Sequence, residues 1–159
     1  MAIVTGDAIW KFGTQDEVTS GTPAVIANNA YGKADQNASV NWTNSDNAQD
    51  GAAVIKMQFD TTMPTVGSVG LYAHLLNVQD TNDTGAPDAN NQVVRVGSFQ
   101  IDFGIAADTD FYSTIHNFFM PQAGDAQAID WYIRNNATGQ VIGNAWQLWI
   151  TPKASGGAA

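Results

Sequence analysis

The residues best suited to chemistry lie in one polar run, Asp80-Thr-Asn-Asp-Thr-Gly-Ala-Pro-Asp-Ala-Asn-Asn91. Asp80, Asn82, Asp83 and Asp88 supply the oxygen ligands that Ca²⁺ takes, and Gly85 lets the backbone turn among them. The run departs from an EF-hand loop at its twelfth position, where Asn91 replaces a bidentate Glu, and at its fifth, where Thr84 stands. Its flanks alternate like strands rather than repeating like helices. The sequence therefore favours a solvated loop of turn-forming residues over a metal site.

The two histidines, His74 and His116, each stand alone in a strand-like pattern, so a shared metal site would need the fold to bring them together beside a carboxylate. There is no Gly-x-Ser-x-Gly, P-loop or His-Glu-x-x-His pattern, and Ser98 follows a single glycine without nucleophile-elbow spacing. Fifteen carboxylates are present, but no spacing singles out a glycosidase pair. With no cysteine, disulfides, thiolate catalysis and Cys-based metal sites are excluded. The expectation is a non-enzymatic protein with no cofactor.

Aromatic residues carry more information. Alternation places Trp131 and Trp146 toward a core and turns Tyr132, Trp149 and Tyr72 the other way. Outward rings on a sheet can stack on sugars, anchor a protein interface, or lie under a covering segment.

These side chains need a β framework to position them. Phe99, Ile101 and Phe103 alternate with Gln100 and Asp102, and the same period recurs in Ala53/Ile55/Met57/Phe59, Ile129/Trp131/Ile133 and Trp146/Leu148/Ile150. Dense turn residues cut the chain into about eight or nine short segments, the pattern of an all-β, antiparallel, jelly-roll-like sandwich. Expected strands are 7–12, 24–27, 38–42, 52–59, 68–78, 92–103, 111–119, 128–134 and 140–151, with loops at 31–37 and 80–91. The last two strands are expected to form a hairpin around Asn136-Ala-Thr-Gly139, whose even length keeps both apolar sets on one face.

The 159 residues, 44% of them hydrophobic, suit one domain over residues 1–153, with 154–159 a loose tail lacking any side chain able to anchor it. Ile3, Val4, Ile9, Trp10 and Phe12 give the first twelve residues enough apolar area for a docking arm, or for an edge strand of the protein's own sandwich. Only six cations are scattered along a chain of net charge −9, which argues against binding nucleic acid or an anionic membrane. No apolar run is long enough for a spanning helix, and the N-terminus lacks a basic, apolar secretory signal, so synthesis in the cytoplasm is expected.

Trp10-Lys-Phe-Gly13, Ala24-Val-Ile-Ala-Asn-Asn-Ala-Tyr31, Asn41-Trp42, Pro64-Thr-Val-Gly-Ser-Val-Gly-Leu-Tyr72, Val96-Gly-Ser-Phe99, Tyr132-Ile-Arg-Asn-Asn-Ala-Thr-Gly139 and Trp149-Ile-Thr-Pro152 occur in this order. Together they resemble a family of small virion structural proteins of tailed bacteriophages, of the capsid decoration or cement type. The 80–91 run stands where that family would have a compact acidic hairpin. The resemblance implies a β-sandwich on the capsid exterior, bound in many copies to the major capsid protein or another virion protein, possessing no catalytic residue, and stabilising the particle. The rival expectations are a carbohydrate-binding module using Trp149, Tyr132 or Tyr72, and a tail or head-to-tail component.

Overall fold

Alternating side chains can bury one face of each strand, and the chain satisfies them all with two sheets closed over one core. The computed structural model describes residues 8–19, 21–34, 42–44, 48–75, 94–101, 106, 108–121 and 128–157. Among these are eleven strands: β1 (Ala8–Phe12), β2 (Asp16–Glu17), β3 (Tyr31–Lys33), β4 (Trp42–Thr43), β5 (Asp50–Met57), β6 (Ser68–Leu75), β7 (Val94–Phe99), β8 (Phe111–Tyr112), β9 (His116–Phe119), β10 (Ala128–Asn136) and β11 (Gln147–Gly157).

All pairings between these strands are antiparallel. The first sheet runs β1-β11-β5-β8, with β2 also on β11 and β9 also on β5; the second runs β3-β10-β6-β7, with β4 also on β10. Three strand positions are thus split into two short pieces each. Merging β1 with β2, β3 with β4 and β8 with β9 leaves eight positions. In chain order the sheets then read first-eighth-third-sixth and second-seventh-fourth-fifth, the wrapping order of a jelly roll.

The core follows from alternation. Ala53, Ile55 and Met57 of β5 and Leu148 and Ile150 of β11 face Val69, Leu71 and Ala73 of β6 and Ile129, Trp131 and Ile133 of β10, all buried. Trp131 lies edge-on to Phe118 at 5.7 Å between ring centroids and to Trp42 at 5.6 Å. At Gly97 of β7 a side chain would collide with the imidazole of His116, so the glycine is what lets that ring lie between the sheets.

The expected hairpin does not form. β10 belongs to the second sheet and β11 to the first, so Trp131 and Trp146 reach the same core from opposite walls. Alternation fixes which face is buried and is silent on which strand is the neighbour. The intervening chain crosses between sheets and is pinned by side-chain amides. Asn135 donates from Nδ2 to the Gln140 carbonyl at 2.7 Å and to the Ile26 carbonyl at 3.2 Å, while the Ala137 amide donates to Asn29 Oδ1 at 3.0 Å and the Gly139 amide to Asn28 Oδ1 at 3.0 Å. Ala137 and Gly139 take positive φ, 51° and 72°, as a tight reversal requires.

Two other segments differ from expectation. Tyr31–Lys33 is a strand rather than loop, because Gly32 faces inward beneath Ile26 and Trp146, where no side chain would fit. Residues 154–157 are the end of β11, paired with Ala8–Lys11, rather than a loose tail. Ladder hydrogen bonds come from the backbone and need no anchoring side chain. No helix among the described residues is long and apolar enough to cross a membrane.

Candidate functional site

Each sheet turns one row of side chains away from the core, and the two outer faces differ in chemistry. On the second sheet the outward positions are Tyr31 and Lys33 of β3, Asp130, Tyr132 and Arg134 of β10, and Tyr72 and His74 of β6, set side by side by the register. Tyr132 does point away from the core, as expected, but it is only 3% exposed, and Tyr72 is also buried. Neither ring offers a bare face to a sugar or a protein partner. Tyr72 is covered by its own neighbours: Tyr31 meets it edge-on at 5.3 Å, and the Arg134 guanidinium lies 5.1 Å from the Tyr31 ring centroid.

Below them Asp130, 3% exposed, is clamped by Lys33 at 2.7 Å. Its second oxygen, Oδ1, and Nδ1 of His74 on the facing strand have no hydrogen-bond partner among the described residues. Asp, His, Lys and Tyr are the residue types of acid–base chemistry, yet here the carboxylate is held by an ammonium. Burial, and then the charge of Asp130, push the Tyr132 phenol up to about 12.

That shift has a testable sign. Below about pH 10 the phenol is neutral in both folded and unfolded chains. Above it the unfolded chain releases the proton while the folded chain holds it to about pH 12, so stability falls as pH rises through this window. Two pH units correspond to about 2–3 kcal/mol. Urea unfolding of the native protein and Tyr132→Phe at about pH 9 and about pH 11.5 should show the variant losing less stability by about 2 kcal/mol, because the window is not fully crossed at pH 11.5.

The outer face of the first sheet is more open. Its cross-strand rows run Phe12–Lys153–Asp50–Phe119, then Thr151–Ala52–Asn117, then Glu17–Trp149–Val54, then Gln147–Lys56–Tyr112. Trp149 points outward as expected and is half-buried, whereas Phe119 is 85% and Phe12 67% exposed. Lys153 donates to Asn117 Oδ1 at 2.8 Å. Around Phe119, the residues Asp50, Gly51, Asn117, Phe118 and Lys153 line an open depression of about 370 Å³. Phe119 was hidden in the sequence by the apolar run Phe118-Phe119-Met120, in which only Phe119 turns outward. The signal available was its two-residue spacing from the polar Asn117, which shares its face.

β1 closes one edge of this sheet, so residues 8–12 form an edge strand. Ile9 and Trp10 lie on it. Ile3 and Val4 of the expected docking arm lie outside the described residues, as do Asp80, Asn82, Asp83 and Asp88 of the candidate calcium loop. The histidines are not brought together: His74 is on the outer face of the second sheet and His116 points between the sheets. No group of three or more metal-ligating side chains occurs among the described residues. In comparisons with known proteins, no family model, no curated protein and no solved structure matches this chain.

Proposed function

We propose that the chain is a non-enzymatic virion structural subunit, a decoration or cement protein bound in many copies to the outside of a tailed-phage capsid. Three features support the setting. The seven stretches quoted above resemble that class of protein in order along the chain, the jelly-roll order recurs in viral capsid and lectin domains, and an acidic surface keeps a subunit soluble before it docks. Jelly rolls host many functions, so the fold supports the reading only by analogy.

The observation that carries the docking mode is the β1 edge. Ala8–Phe12 pairs with β11 on one side, no strand among the described residues pairs with its other side, and it ends in the exposed ring of Phe12. An edge strand offers unpaired backbone groups to a neighbour, and an apolar ring beside it supplies area to bury. The partner is the major capsid protein. Individually weak contacts on a symmetric lattice gain strength from effective concentration, so the subunit resists particle expansion by bridging neighbours.

Phe12→Asp tests this mode. The ring is already two-thirds in solvent, so the thermal midpoint should stay within a few degrees of the native protein's while the affinity for empty capsids falls about tenfold or more in co-sedimentation. Unchanged capsid affinity would remove the β1 edge from the interface.

A further inference from the structure

Beyond docking, the geometry points to a second binding site on the first sheet, in which the depression around Phe119 binds a neutral pyranose unit of an oligosaccharide. The site lies on β5, β9 and the adjoining part of β11, with Phe119 at the opposite end of the cross-strand row from Phe12 and Lys153 between them, its Nζ 5.5 Å from the Phe12 ring centroid.

Its construction follows from strand alternation. Phe118 turns inward and lays its ring against Gly51, where a Cβ would collide with it. Phe119, the next residue, turns outward and stands bare beside it. Asp50 faces Phe119 across the β5–β9 ladder, Lys153 faces Asp50 across the β5–β11 ladder, and Lys153 Nζ is held on Asn117. A carboxylate that accepts from two hydroxyls, an ammonium that only donates and an amide that does both therefore surround one exposed aromatic ring.

That mixture selects the occupant. The centre of a protein–protein interface is depleted in charge and enriched in clustered rings, whereas here one ring is ringed by charged and amide groups. A pyranose matches the pattern, with a C–H face to lie on Phe119 and hydroxyls at its rim for Asp50, Asn117 and Lys153. At about 370 Å³ the depression is at the small end of small-molecule sites, enough for one or two sugar units. The net charge of −9 selects against sulfated or uronic acid chains, leaving neutral glycans.

Isothermal titration of the full chain with cellohexaose, maltohexaose, mannohexaose and xylohexaose, and with a heparin oligosaccharide as charge control, tests the site. Saturable binding is expected to at least one neutral sugar and not to heparin. Phe119→Ala should weaken that binding about tenfold or more, and Asp50→Asn should weaken it without abolishing the fold. Phe119 is so exposed that its removal should leave the thermal midpoint unchanged, which separates loss of a contact from loss of structure. Three results would overturn the assignment: no saturation by any of the four sugars at about 10 mM, binding that survives both substitutions, or loss of capsid affinity in Phe119→Ala without sugar binding. The last would put a protein partner on this face. Because Phe12 reports capsid docking and Phe119 reports sugar binding, either can fail without the other.

Discussion

Trp146→Ala should be the most damaging single substitution in the described core, costing about 3–5 kcal/mol and lowering the thermal midpoint by roughly 10 °C or more. Trp146 is fully buried, and its indole Nε1 donates to the Ala24 carbonyl at 3.0 Å. The ring also packs under Gly32, while Ile26 and Ile142, paired by a β-bridge, lie beside it at the same end of the sandwich. Truncation would leave a cavity and an unpaired carbonyl together, and the segment 24–32 would lose one of its several ties to the chain after β10. Chemical denaturation of Trp146→Phe alongside Trp146→Ala separates the two costs. Phe refills most of the volume but cannot donate, so it should recover more than half of the loss. A loss below about 1 kcal/mol in Trp146→Ala would contradict this packing.

Lys33→Met is expected to cost about 3 kcal/mol although the residue is partly exposed, because the damage falls on its partner. The Asp130 side chain is 2% exposed, its Oδ2 is held by Lys33 at 2.7 Å, and its Oδ1 has no partner among the described residues. Removing the ammonium leaves a buried carboxylate with no other ion-pair partner among the described residues. Pairing Lys33→Met with Asp130→Leu should restore most of the stability, since a buried ion pair can be replaced by apolar side chains at little net cost. A double variant no more stable than Lys33→Met alone would show that Asp130 is held by something other than this charge pair.

Much of the sandwich could be read from residue order, and the errors share one physical origin. The alternation in Ala53/Ile55/Met57 and Ile129/Trp131/Ile133 correctly assigned inward faces, because burial acts on each strand separately. The 128–151 hairpin failed because its two halves bury the same kind of face in different sheets. The polar groups that decide this, Asn135 and Thr138 donating to the Gln140 carbonyl and Asn28 and Asn29 accepting from the Gly139 and Ala137 amides, resemble an ordinary turn when read in sequence. Gly32 looked like loop punctuation and is instead a strand position with no room for a side chain.

The outer faces were harder. Tyr132, Tyr72 and Trp149 do point away from the core, but exposure depends on what lies across the neighbouring strands. Tyr31 and Lys33 of β3 come to lie beside Tyr72 and Tyr132 from about 40 and about 100 residues away in sequence, and Arg134 reaches Tyr31 from Tyr132's own strand. Likewise Asp50, Asn117, Phe119 and Lys153 meet only because β5 sits between β9 and β11. No local pattern could announce either cluster.

Decoration of a capsid by this chain, as proposed, would be visible by imaging. Empty capsids assembled from the major capsid protein encoded alongside the chain would be mixed with purified protein and reconstructed by electron cryomicroscopy with icosahedral averaging. Extra density is expected at a fixed set of lattice positions on the outer surface, saturating with added protein, with the β1 edge toward the capsid. Bare capsids at saturating protein, or density confined to the tail or its vertex, would contradict it.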